Sequence, residues 1–118
     1  MPFELLGDPA FHRELASLAS GEQDKVRLAL RGLWEAPLEH PKVARLHGSA
    51  YPGSFRFRIG PLRVLGLVLQ SQGLILLTTV FRKKRDSDYH QALERHEQRL
   101  ALQGPPLGEF LKAARRRR

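Results

Sequence analysis

The chain has 118 residues, of which 42% are apolar, and this is enough for one domain with one modest core. It contains no cysteine, which excludes disulfides, thiol nucleophiles and cysteine-based zinc sites. The net charge of +8 favours polyanionic partners, namely RNA, DNA or an acidic protein. The apolar runs are too short to span a bilayer and the N-terminus lacks a signal-peptide pattern, so we expect a cytoplasmic protein that does not engage membranes.

The N-terminal residues predict a strand followed by a helix. Residues 2–6 (Pro2 to Leu6) form a short strand at the edge of a sheet. Asp8 and Pro9 then begin a helix, as the N-cap and the first helical residue. The apolar residues that follow at helical spacing are Phe11, Leu15 and Leu18.

A second helix follows after a tight turn near Gly21, so that the two helices form an antiparallel pair. Ser20 with Gln23 resembles a capping box at its start, and the helix ends before Pro37. One face is apolar and comprises Val26, Leu30, Leu33 and Trp34.

The second half of the chain predicts a sheet and a last helix. Residues 40–53 form a connection rich in proline and glycine, and three strands cover residues 55–59, 62–70 and 74–81, with a turn at Ser71-Gln72-Gly73. Asp86-Ser87-Asp88 offers N-caps for the last helix, whose stripe holds Tyr89, Leu93, His96 and Leu100. The predicted class is α+β: a helical pair packed on an antiparallel meander, with a short C-terminal helix. Residues 1–103 form the domain and 104–118 a basic tail ending in Arg115 to Arg118.

Charge is distributed unevenly along this chain. Residues 55–85 contain seven basic residues, whereas all twelve acidic residues lie outside that stretch. The basic residues of this central block are Arg56, Arg58, Arg63, Arg82, Lys83, Lys84 and Arg85. An ordinary solvated strand face and an anion-binding surface both remain open, and the lack of nearby acids favours the second.

The same block excludes several chemistries. Paired-carboxylate hydrolysis and two-metal nuclease chemistry need converging acids, which the predicted sheet does not supply. The five histidines lack metal-ligand spacing, and no phosphate-binding glycine loop or Gly-x-Ser-x-Gly elbow is present. We therefore expect neither a metal nor a cofactor. A surface of arginine and lysine suits RNA cleavage by the ribose 2′-hydroxyl, which needs orientation and charge stabilisation and which DNA cannot undergo.

Three segments resemble the RelE/ParE superfamily of toxins from toxin–antitoxin systems. They are KVARLHG at residues 42–48, SFRFRIGPLRVL at residues 54–65 and FRKKRDSDY at residues 81–89. The resemblance covers residues 3–102 and implies a RelE-like fold. It also implies a metal-independent endoribonuclease that cuts mRNA on the ribosome, and an antitoxin partner that silences it through an acidic segment or helix.

The resemblance further implies roles for individual residues. Carried over by position, the catalytic residues are Arg56, Arg58, Arg63, Lys83 and Tyr89. Arg63 would neutralise the phosphate, Lys83 would stabilise the leaving oxygen, and Tyr89 would stack on a base. The additional RNA-binding residues are Arg82, Lys84, Arg85 and His90.

The sequence departs from the family at Arg56, a position where family members often have lysine. Guanidinium groups stay protonated, so the general base is left open between His47 and His90. Phe81 also stands where glycine is frequent. Two other functions remain open: a ParE-like inhibitor of DNA gyrase, and a noncatalytic nucleic-acid-binding or degenerate toxin domain.

Overall fold

A computed structural model of the protein describes residues 3–33, 37–47 and 49–102. These residues form five strands and three α-helices, and their α+β arrangement confirms the predicted class. In chain order the elements are β1 (Glu4–Gly7), α1 (Pro9–Ala16), α2 (Ser20–Arg31), β2 (Val43–Arg45), β3 (Ser54–Ile59), β4 (Leu62–Leu69), β5 (Leu74–Arg82) and α3 (Asp86–Leu102). None of the helices in these ranges is long and apolar enough to cross a membrane.

The strands form one sheet in the order β1-β5-β4-β3-β2. Strands β3, β4 and β5 pair antiparallel, as predicted for the meander. Strand β2 adds antiparallel to β3, and β1 joins β5 in parallel at the opposite edge. The central strand β4 is buried on both faces, which explains why its sequence is nearly all apolar. A bulge interrupts the β4–β5 ladder between Leu65 and Gly66.

One face of the sheet carries the helical pair and the larger core. This arrangement confirms the predicted apolar stripes of the two helices. Phe11 and Leu15 of α1 and Val26 and Leu30 of α2 are buried there. They pack on side chains that alternate along the strands, namely Phe55, Phe57, Leu62, Val64, Val68, Ile75, Leu77 and Val80. Trp34, predicted on the same stripe, lies outside the described residues, as do Pro2, residue 103 and the predicted tail, residues 104–118.

The opposite face carries α3, which packs mainly on β5 and β4. Two smaller clusters of buried apolar residues lie beneath this helix, one with Leu67, Leu69 and Leu100 and one with Leu65, Phe81 and Ala92. The predicted C-terminal helix is present, and at 17 residues it is the longest helix described rather than a short one. Its burial against the sheet stabilises its full length.

The capping box predicted at Ser20 is wrong. Ala19 is the N-cap of α2, no side chain in the described part of the chain caps that end, and Ser20 and Gly21 lie in the first turn of the helix. The Gln23 side chain instead donates to the carbonyls of Ala16 and Leu18, which end α1. The tight turn therefore lies just before Ser20, and Gln23 joins the two helices because the last carbonyls of α1 need donors.

The connection predicted between residues 40 and 53 contains a strand that sequence patterning missed. Strand β2 has three residues, which is too short for a visible alternation. It forms because β3 offers an unpaired edge, and Val43 and Arg45 face Phe57 and Phe55 across it.

His96 anchors α3 on the sheet through two buried hydrogen bonds. Its imidazole is fully buried, with Nε2 2.8 Å from Ser54 Oγ on β3 and Nδ1 2.7 Å from Thr78 Oγ1 on β5. Each hydroxyl also lies within hydrogen-bond distance of a backbone carbonyl, that of Tyr51 for Ser54 and that of Leu65 for Thr78, so the neutral imidazole donates to one hydroxyl and accepts from the other. Burial lowers the pKa of His96 to about 4, and the neighbouring Glu97 opposes part of this effect.

This burial predicts acid destabilisation in a defined window. In the unfolded chain His96 binds a proton near the ordinary histidine pKa of 6.5, whereas the folded protein resists protonation until about pH 4. The free energy of unfolding should therefore fall as pH decreases from 6.5 to 4, by about 3 kcal/mol in total. Urea unfolding at several pH values measures this loss. In a His96→Gln variant the free energy of unfolding should depend less steeply on pH in this range. An unchanged pH dependence would contradict the role of buried His96.

Candidate nucleic-acid interface

The turn between β3 and β4 aligns the arginines of the two strands. Gly60 has φ +59°, a left-handed conformation that favours glycine, and Pro61 follows with its fixed negative φ. This sign pattern is that of a type II′ turn, whose twist suits a two-residue hairpin. The resulting register places Arg58 directly opposite Arg63.

Alternation along β3 separates an apolar face from a basic face. Phe55 and Phe57 are buried under the helical pair, whereas Arg56 and Arg58 point the other way and are exposed. Arg63 belongs to this second face, since its side chain reaches Tyr89 of α3. The basic face is therefore the one that α3 partly covers.

The Arg63 guanidinium is held in place by the protein itself. Its Nε donates to the Tyr89 hydroxyl at 3.1 Å, and Nη1 donates to the carbonyls of Gly60 and Leu62 at 2.6 and 2.9 Å. Within the described residues, Nη2 has no hydrogen-bond partner and no carboxylate pairs with this side chain. The Nη2 donors are available to an anion.

Tyr89 is the centre of the site, which we call the basic cluster: Arg56, Arg63, Lys83 and Tyr89. The Arg56 guanidinium carbon and the Lys83 Nζ lie 5.3 and 5.4 Å from the centre of the Tyr89 ring, within range of cation–π attraction. Phe81 supports the ring edge-on, with the two ring centres 5.6 Å apart. The arrangement combines cationic side chains with an aromatic ring, the combination that binds nucleotides.

Lys83 is positioned by its backbone and only weakly paired. Its N–H donates to the Pro61 carbonyl at 3.0 Å, which fixes it beside the hairpin turn. Its Nζ lies 3.7 Å from a carboxylate oxygen of Asp86, which is almost fully exposed. Exposed pairs of this kind contribute little energy, so Lys83 can readily exchange Asp86 for a phosphate.

The segment leading into α3 is held by Asp88. Its carboxylate accepts hydrogen bonds from the backbone N–H groups of Lys84 and Arg85 at 2.8 and 2.9 Å. These two bonds, that of Lys84 first, lower the pKa of Asp88 below its ordinary value. Asp86, Ser87 and Asp88 all lie in the first turn of α3, so the prediction that they supply its N-cap is wrong. Asp88 instead holds the two residues that precede the helix, and the side chains of Lys84 and Arg85 are exposed beside it.

Arg82 does not join the basic cluster. It pairs across the sheet with Leu62, on the face that carries the helical pair, and forms a salt bridge with Glu22 of α2. The predicted set is therefore divided: Arg56, Arg63, Lys83 and Tyr89 come together, Arg58 lies next to them in register, and Arg82 lies on the other side. His90 and His47, the two proposed general bases, are both exposed.

A second polar centre, which sequence patterning missed, ties α1 to α3. The Glu14 carboxylate pairs with Arg99 at 2.7 Å and Arg95 at 3.5 Å, and it also accepts from the Val80 N–H. Arg99 donates in addition to the Thr78 carbonyl at 2.6 Å. No spacing in the sequence relates residues 14 and 99, so only the fold could reveal this contact.

The architecture of this chain is similar to that of several solved structures. A variant of the Escherichia coli toxin RelE in the free state superimposes with a TM-score of 0.65 at 18% identity, covering 80% of this chain and 98% of that one. The chain has the RelE fold. The RelE–RelB complex of Pyrococcus horikoshii matches with a TM-score of 0.63 at 21% identity, over 72% of this chain and 99% of that one.

A third RelE-fold structure is the toxin–antitoxin complex RelBE2 of Mycobacterium tuberculosis, with a TM-score of 0.61 at 20% identity. It covers 70% of this chain and all of the matched chain. The sequence itself matches no protein-family model and no curated protein. At these identities the RelE fold is the property that the comparisons establish.

The hydrogen bond between Arg63 and Tyr89 can be tested without changing the ring. Tyr89→Phe removes only the hydroxyl that accepts from Arg63 Nε. We expect a loss of about 1 kcal/mol in the free energy of unfolding, the usual value of such a bond. Urea denaturation measures it. As a control, Tyr51→Phe removes a hydroxyl that accepts from no arginine among the described residues. Equal effects of the two changes would contradict the bond.

Proposed function

We propose that this chain is the toxin of a toxin–antitoxin pair and that its basic cluster cleaves mRNA on the ribosome. The observation that carries the proposal is the arrangement around Tyr89, where Arg56, Arg63 and Lys83 meet a single aromatic ring. The RelE fold supports it, because the free and complexed proteins that share the fold are named as toxins.

The proposed reaction begins with the 2′-hydroxyl of a bound nucleotide. Its oxygen attacks the adjacent phosphorus as it loses its proton, and the bond from phosphorus to the 5′-oxygen breaks. The products are a 2′,3′-cyclic phosphate and a 5′-hydroxyl that takes up a proton. Neither metal nor cofactor enters this scheme, and its rate depends on alignment and on stabilising the charged phosphorane.

The cluster can perform the electrostatic part of this reaction. Arg63 presents Nη2 to a nonbridging phosphate oxygen while its other nitrogens hold it still, so little reorganisation accompanies binding. In this proposal Lys83 would stabilise or protonate the leaving oxygen, and the Tyr89 ring would stack on a base. Arg56 and Arg58 add positive charge along the phosphate backbone of the RNA. The proton acceptor is assigned to one of the exposed histidines, His47 or His90.

Arg63 offers the sharpest test of cleavage. In a translating extract, 5′-end mapping of mRNA should reveal new ends at decoding-site positions that are absent on free RNA. Arg63→Ala should reduce their rate of appearance at least ten-fold, because phosphorane stabilisation of this kind is worth several kcal/mol. Lys25→Ala on α2 removes an equal charge from an exposed site elsewhere and should leave the rate unchanged.

The same experiment separates the alternatives. Intact messages with the parent protein would contradict the nuclease, and a DNA supercoiling assay would then test gyrase inhibition. A noncatalytic RNA-binding role has one observation in its favour: the groups that surround Tyr89 are cations, which donate protons more readily than they accept them. RNA binding that Arg63→Ala abolishes, without cleavage by the parent protein, would establish that role.

We further propose an antitoxin that covers the basic face with an acidic segment or helix. Complementary charge would speed its association and hold the cluster away from RNA. Coexpression with the product of the adjacent gene should give a complex and restore protein synthesis. Arg56→Glu with Arg58→Glu should weaken that complex at least ten-fold in calorimetry, whereas Lys25→Glu should not. Equal affinities would remove the basic face from the interface.

A further inference from the structure

A row of three cations crosses the sheet next to the basic cluster. Arg58 on β3 and Arg63 on β4 are directly opposite each other in the ladder. The Arg58 N–H also donates to the Lys42 carbonyl at 3.1 Å, which continues the β2–β3 ladder one step beyond the pair of Val43 and Phe57. Lys42, Arg58 and Arg63 thus occupy one transverse line over three neighbouring strands, which we call the cationic row.

The three side chains share the face that carries the basic cluster. Val43 and Phe57 both pack into the core beneath the helical pair. Successive residues of a strand alternate between faces, so Arg58, which follows Phe57, points to the opposite side. Lys42 leads into β2 and lies opposite Arg58 where its carbonyl continues the ladder, and we place its side chain on the same side. Both are exposed, because α3 packs mainly on β5 and β4 and leaves this part of the sheet open.

The row is costly for the fold alone. Like charges directly opposite each other across strands are destabilising. Within the described residues no carboxylate forms a salt bridge with any of the three, although Arg82, Lys83, Arg95 and Arg99 all have such partners. Neighbouring strands lie about 4.8 Å apart, so the row spans roughly 10 Å, more than one phosphate group occupies. An extended anion would relieve this repulsion along its whole length.

We propose that the cationic row binds the phosphodiester backbone of single-stranded RNA, with Lys42 as its outermost contact beyond the phosphate held by Arg63. The inference deepens the proposed function, on which it rests, by giving the path of the strand away from the cleaved bond. A nucleotide chain fits better than an acidic peptide because the row begins at Tyr89, where an aromatic ring can stack on a base while the phosphates follow the cations.

Salt dependence of RNA binding tests the row without relying on cleavage. The probe is a fluorescent single-stranded RNA carrying 2′-O-methyl groups, which cannot undergo the reaction. Anisotropy titrations at several salt concentrations give the slope of log affinity against log salt. For single strands each phosphate contact contributes about 0.7 to that slope. Lys42→Ala should therefore lower the slope by about 0.7 and weaken binding about five-fold at low salt.

Two matched controls remove equal charge from other places. Lys25→Ala changes the same residue type on α2, beneath the other face of the sheet. Arg45→Ala removes a cation from the adjoining strand β2, at an exposed residue paired with the core-facing Phe55. Both should leave the slope within error of the parent protein. If Lys42→Ala behaves like these controls, the row is not an RNA contact and the proposal is overturned, even where cleavage by the parent protein is intact.

The remaining outcomes are also informative. A reduced slope for Lys42→Ala in a protein that cuts no mRNA would support the row while rejecting the nuclease. Weakened binding of a poly-glutamate peptide, with RNA binding unchanged, would assign the row to an acidic protein and overturn the RNA proposal. Thermal unfolding at low salt distinguishes a structural lysine: relief of repulsion should leave Lys42→Ala at least as stable as the parent, whereas a lower midpoint would contradict the energetic argument.

Discussion

The position of α3 on the sheet depends on the buried imidazole of His96. It is hydrogen-bonded to β3 through Ser54 and to β5 through Thr78, so one side chain connects the helix to two strands. Tyr89 lies seven residues earlier, which is two helical turns and therefore the same side of the helix. A helix held at His96 consequently presents Tyr89 to Arg63. Apolar packing alone would tolerate sliding of α3, whereas paired hydrogen bonds permit one register.

The site itself rests on the hairpin of β3 and β4. The turn leaves the Gly60 carbonyl free to accept a hydrogen bond from Arg63, and the ladder places Arg58 directly opposite Arg63. The protein therefore uses backbone oxygens, which carry no net charge, to orient a guanidinium. A carboxylate in that position would neutralise the cation and compete with any anionic ligand. Because uncharged oxygens orient Arg63 and no acidic side chain in the described residues pairs with it, its Nη2 remains available to an anion.

Acidic residues are concentrated where the fold needs cations neutralised. Glu14 holds Arg99 and Arg95 against the edge of β5, beyond the point where β1 stops pairing with it. Glu22 neutralises Arg82 beside the helical pair. The basic face keeps Arg56, Arg58 and Arg63 without such partners among the described residues. Acidic side chains thus neutralise the cations elsewhere in the fold, whereas the basic face keeps its positive charge, which suits it to a polyanion.

Much of this protein follows from local patterns in its sequence. Alternation of Phe55, Phe57 and Ile59 with Arg56 and Arg58 predicts a half-exposed strand, because a pleated strand turns successive side chains to opposite sides. The apolar run of β4 predicts a strand buried on both faces, and Asp8 with Pro9 predicts a helix start that the structure confirms. The acid-free block predicts a basic surface before any element is placed in space.

Tertiary structure alone decided which of those basic residues meet. Arg82 and Lys83 are adjacent in sequence, yet alternation at the end of β5 directs one to Glu22 and the other to Tyr89. Strand β2 and the ladder position of Lys42 depend on pairing with β3, which three residues cannot signal by themselves. The roles of Glu14 and His96 likewise arise from contacts between distant segments. Periodicity reports how a residue relates to its own helix or strand, whereas a site is defined by residues from different ones.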